Sequence, residues 1–137
     1  MNAEQVELVQ QSFEKVVPIA GTAATLFYDR LFETTPGVKE LFKGDMERQK
    51  TVLMQTLGVV VRGLNQPETI LPAVKSLAER HKDYGVQPEH FQSVGASLLW
   101  TLEKGLGDDY TPEVHEAWVA AYTLLSDVMI ETMTAAN

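Results

Sequence analysis

Apolar residues recur along this chain at three- and four-residue steps, the spacing of helices with one buried face, and nowhere sustain the two-residue alternation of a half-buried strand. Asn2 and Gln5 have the form of a capping box, and Val6, Val9, Phe13, Val16 and Val17 follow as a first stripe. Pro18 bends or restarts that helix, and Ala20, Ala24, Phe27 and Leu31 carry a second stripe toward Glu33, with Tyr28 beside it. Thr35-Pro36 opens a short helix through Val38, Leu41 and Phe42 that Gly44 ends. Asp45 starts a longer one whose face carries Gln49, Leu53, Thr56, Leu57, Val60 and Leu64 before Asn65-Gln66-Pro67 breaks it. A further helix is expected from about Thr69 to Tyr84, with Gly85 as its stop. The next begins at Gln87-Pro88 and buries Phe91, Val94, Leu98, Leu102 and Leu106. The last begins at Thr111-Pro112-Glu113 and buries Val114, Trp118, Ala121, Tyr122, Leu125 and Met129. The fold class is therefore all-α, with about seven helices, too uneven for a simple four-helix bundle.

One stripe contains a residue of the wrong kind. Val74, Leu77, His81 and Tyr84 share a helix face, so His81 interrupts an apolar row and points inward. A buried imidazole needs partners for both ring nitrogens, because an unsatisfied polar group costs roughly 1–3 kcal/mol. A backbone carbonyl and a metal both qualify, and this stretch alone leaves either open.

Composition narrows the choice. At 137 residues, with 45% hydrophobic and 22% charged, the chain is expected to form one domain with a core of its own. A formal charge of −8 and eleven scattered Lys and Arg argue against nucleic acid. The absence of cysteine excludes disulfides, thiolate metal sites and a cysteine nucleophile. No leader-like or membrane-spanning run is seen, so a cytoplasmic location without membrane contact is expected.

Several separated motifs agree in order and spacing with one family. Leu26-Phe27-Tyr28-Asp29-Arg30-Leu31-Phe32, Glu40-Leu41-Phe42, Met54-Gln55-Thr56-Leu57, Pro88-Glu89-His90-Phe91-Gln92-Ser93-Val94-Gly95 and Ala117-Trp118-Val119-Ala120-Ala121-Tyr122 are involved. Together with His81 and Tyr84-Gly85 they resemble the globin fold, and more nearly bacterial single-domain globins and the globin domain of flavohaemoglobins. The resemblance runs from about Val6 to Met133. It implies haem b, iron protoporphyrin, with His81 as the proximal iron ligand. Phe42, Leu53, Leu57, Leu77, Tyr84, Val86, Phe91, Val94 and Leu98 would form the cofactor's surroundings. Tyr28, Gln49 and Leu53 would meet dioxygen, nitric oxide or carbon monoxide on the opposite side. A donor there, at roughly 1.5–3 kcal/mol, would slow gas release about ten- to a hundredfold. The plainer alternatives are that Tyr28 is a core tyrosine with its hydroxyl at the rim and that Gln49, near a helix start, is solvated. His90 and His115 lie beside acids and are expected on the surface, and Trp100 and Trp118 in packing.

Two departures from the flavohaemoglobin pattern stand out. No Gly-rich phosphate loop is present, so residues 1–137 are expected to be a single globin domain without a reductase module. The tyrosine that supports the proximal histidine there is replaced by Phe91, and the supporting glutamate's place falls near Met133; Glu131, the nearest acid, is two residues away on the wrong helix face. The functions implied are reversible oxygen binding for transport or storage or, alternatively, nitric oxide dioxygenation by an enzyme with an external reductase, in which Tyr28 and Gln49 would be the catalytic pair.

Overall fold

The Gln5 N–H donates to Asn2 Oδ1 at 2.8 Å and the Asn2 N–H donates to Gln5 Oε1 at 3.1 Å, so the first helix, α1 (Ala3–Val16), starts at its capping box. The computed structural model describes residues 2–42, 44–83, 85–87 and 89–135. Pro18 turns the chain through a single 3-10 turn, Val17–Ile19, into α2 (Ala20–Thr34). The short helix expected after Thr35 is present as a 3-10 helix, Pro36–Leu41, with Phe42 at its end. Six residues led by proline and glycine are too few to nucleate an α-helix on their own, and the tighter winding suits a connector.

Asp45 Oδ1 accepts the Glu47 N–H at 3.0 Å and starts α3 (Met46–Arg62). α4 (Pro67–Asp83) begins two residues earlier than Thr69, with proline in the first helical position, where no N–H is required. α5 (His90–Leu106) begins three residues later than Gln87. A short 3-10 turn, Gly107–Asp109, leads to α6 (Pro112–Ala135), whose Val114 N–H is capped by Thr111 Oγ1 at 3.2 Å. The described residues thus hold six α-helices and three 3-10 segments, the all-α architecture the periodicity predicts. Among them, no helix is long and apolar enough to cross a membrane.

α1 packs on α6, α2 on α5 and α3, and α4 on α6. The larger core joins Val9, Phe13, Leu31, Leu102 and Trp118, and inside it the Trp118 Nε1–H donates to Ser12 Oγ at 2.8 Å, tying α6 to α1. A smaller cluster of Val74, Ala78, Phe91, Met129 and Met133 joins α4, α5 and α6. Between the two lies a space that neither fills.

Candidate functional site

That space is a cavity of about 590 Å³, within the range of small-molecule and cofactor sites. Five of the six residues assigned to the inward face of α3, namely Gln49, Leu53, Thr56, Leu57 and Val60, border it; Leu64 instead packs against the larger core. Phe27 and Leu31 of α2, with Val38, Leu41, Phe42, Gly44, Asp45 and Met46, close one side. Leu77 and His81 of α4 and Phe91, Val94 and Leu98 of α5 close the other, with Tyr122, Leu125, Ser126 and Met129 of α6.

His81 is half-buried, and its Nδ1 lies 2.8 Å from the Leu77 carbonyl oxygen. A carbonyl only accepts, so Nδ1 carries the proton and, in the neutral ring, Nε2 is the nitrogen that bears the lone pair. Burial lowers the imidazole pKa below its ordinary value; the Leu77 carbonyl acts in the opposite sense, and the Arg80 charge adds to the lowering. The ring is thereby kept in the form that binds metals. Among the described residues no three His, Asp or Glu side chains converge, so His81 does not belong to a metal cage made of protein donors alone.

Tyr28 is buried in an aromatic group, with Phe27, Phe42 and Phe32 at centroid distances of 5.0, 5.4 and 5.8 Å. It stands behind the cavity wall rather than in it and reaches the site through Gln49. Burial raises its phenol pKa, and a hydrogen bond with the Gln49 side chain opposes that rise. The phenol stays protonated and remains able to donate.

Of the residues singled out from the sequence, Phe42, Gln49, Leu53, Leu57, Leu77, His81, Val86, Phe91, Val94 and Leu98 border one cavity. Tyr28 lies one layer back, and Tyr84 falls outside the described residues. Met133 is buried where a supporting acid was considered, and Glu131 is exposed, as its helical phase predicts. His90 corrects the expectation of a surface residue: it is half-buried and borders the cavity, whereas His115 is exposed and bonds the Tyr110 hydroxyl at 2.6 Å. The apolar row of α6 predicts only packing for Tyr122, yet its hydroxyl donates to the Phe91 carbonyl at 2.7 Å across the wall. Its ring lies so close to α5 that a Cβ at Gly95 would sit 2.7 Å from it.

The sequence profile of one family, Globin, matches residues 25–129. The chain belongs to the globin family. Over 133 residues this globin is 28% identical to a flavohemoprotein of Bacillus subtilis and 31% identical to one of Rhodopirellula baltica, each match covering 95% of this chain and 33% of the relative. A Vibrio cholerae flavohemoprotein is 31% identical over 135 residues, covering 96% and 34%. The chain therefore spans about a third of the length of these curated relatives. Among solved structures, the fold matches an engineered carbene transferase of Rhodothermus marinus with a TM-score of 0.90 at 24% identity, over 99% of this chain and 95% of that one. It matches a bacterial globin of Campylobacter jejuni with a TM-score of 0.86 at 21% identity, over 98% of each chain.

Proposed function

We propose that this globin holds haem b in the cavity and reversibly binds dioxygen and other diatomic gases. The observation that carries the proposal is a single neutral imidazole bordering a mostly apolar, cofactor-sized cavity that Gln49 enters from another helix. One protein nitrogen without a surrounding donor cluster suits a metal that arrives with its other ligands already in place. His81 would hold the iron through Nε2, its orientation fixed by the bond from Nδ1 to Leu77. Phe42, Leu53, Leu57, Val94 and Leu98 would exclude water from the porphyrin faces. Haem bound there supplies an iron centre with a position open to a gas. Gln49, with Tyr28 behind it, would offer hydrogen-bond donors on that side. The membership in the globin family and the flavohemoprotein relatives support the same cofactor.

The absorption spectrum of the purified chain in ferric, ferrous and gas-exposed forms tests the proposal. A Soret band that shifts reversibly with dioxygen and carbon monoxide is expected. A colourless protein that does not respond to added haemin would overturn it.

The flavohemoprotein relatives favour a second reading, nitric oxide dioxygenation, with Gln49 at the reacting gas, Tyr28 acting through it, and electrons from a flavin reductase outside these 137 residues. Catalytic nitric oxide consumption in the presence of such a reductase, with nitrate as product, separates enzyme from carrier.

A further inference from the structure

Several polar side chains bordering the cavity have no part in holding iron or gas, and His90 is one of them. On the solvent side, exposed Gly44 and Asp45 border the cavity together with Val86 and His90. A Cβ at Gly85 would lie 3.7 Å from Leu41, so the segment around residue 41 and the one that leads into α5 approach each other there. No lysine or arginine borders the cavity among the described residues. The Asp45 carboxylate is occupied at the start of α3, the Tyr122 hydroxyl donates to Phe91, and the Ser126 hydroxyl donates to the Thr123 carbonyl. Among the described residues His90 is committed at one nitrogen only: Nδ1 accepts the Gln87 N–H at 2.9 Å. The neutral ring then carries its proton on Nε2, as a donor.

A porphyrin held by His81 brings two carboxylates of its own, and a carboxylate leaves water readily only where a donor meets it. We propose that His90 is that donor, its Nε2–H bonding a propionate of the bound haem at the solvent edge of the cavity. This rests on the haem proposal above and adds a residue that fixes how the cofactor is seated and how slowly it is lost.

Haemin transfer from the loaded full-length chain to excess apomyoglobin, followed in the Soret region, tests it. His90→Ala is expected to speed haemin loss about tenfold, the size of one charge-assisted hydrogen bond. His90→Gln, which keeps an N–H, should recover most of the slow rate. Loading with haemin dimethyl ester, which has no carboxylates, should reduce the difference between wild type and His90→Ala to less than about threefold, because the charge-assisted bond is absent from both. Equal rates for wild type and His90→Ala with haemin would overturn the proposal. So would an equal acceleration with haemin and with the ester, which would mark His90 as a packing residue. If the wild type takes up neither pigment, the haem proposal falls and this one falls with it; if it takes up haemin and the variants lose it no faster, only this one falls.

Discussion

The two walls of the cavity are made differently. On the side of α2 and α3, polar groups are layered: Gln49 at the surface of the cavity and Tyr28 behind it, enclosed by Phe27, Phe32 and Phe42. On the side of α4, α5 and α6, His81 is set beside an apolar cluster of Val74, Ala78, Phe91, Met129 and Met133. The polar groups of that second wall are turned to the backbone, His81 Nδ1 to Leu77 and the Tyr122 hydroxyl to Phe91. In the proposed function, one wall would present donors to a small guest and the other would hold a single ring in place. Buried polarity is retained only where it has a hydrogen-bond partner, because without one it costs stability.

His81→Gly strikes hardest at this contrast. It is expected to weaken haemin uptake by more than about a hundredfold, since even outer partners of a metal ligand are worth ten- to a hundredfold. A Soret band of wild-type intensity in the variant at stoichiometric haemin would show that the second wall does not depend on its imidazole. Tyr28→Phe tests the first wall. Dioxygen release, measured by carbon monoxide displacement in stopped flow, should accelerate about ten- to a hundredfold. An unchanged off-rate would remove the phenol from the gas site and leave it as a packing residue.

Gly95→Ala leaves every polar group in place and disturbs only the fit of α6 on α5. The added methyl meets the Tyr122 ring, so urea unfolding should show a loss of about 1–3 kcal/mol. A neutral result would mean that Tyr122 moves aside easily and does not define the wall. The smallest effect concerns pH. In the unfolded chain tyrosines ionise near their ordinary value of about 10, while burial raises the pKa of Tyr28 and Tyr122 in the folded one. As pH rises through that value the unfolded state binds fewer protons than the folded state, and stability falls. Tyr122→Phe should cost about 1 kcal/mol at neutral pH through its lost hydrogen bond and should make the alkaline decline shallower. An equally steep decline in the variant would place the alkaline sensitivity elsewhere.

Much of this arrangement was legible in the order of residues. The 3.6-residue period alone placed five α3 side chains on the cavity, and the interrupted stripe of α4 placed His81 there, because helical phase converts spacing directly into direction. Contacts made by one helix with the backbone of another were not legible. Tyr122 reads as one more member of an apolar row until α5 brings the Phe91 carbonyl to its hydroxyl. His90 next to Glu89 reads as solvated because sequence does not show that the turn before α5 folds it against the cavity. Tyr28 was assigned to the gas side from resemblance, and its place one layer back, reaching the site through Gln49, depends on the packing of three phenylalanines that no period encodes.

The bond between Trp118 and Ser12 has a practical consequence for anyone following this molecule by light. Trp118 is 2% exposed and fixed to the first helix, whereas Trp100 is half-buried between the cations of Arg30 and Lys104. In variants that keep only one of them, the two indoles would therefore report on different parts of the molecule. A red shift of Trp118 emission requires α1 and α6 to part, while emission from Trp100 follows the local surface, so fluorescence can separate a loosening of the exterior from dissolution of the framework itself.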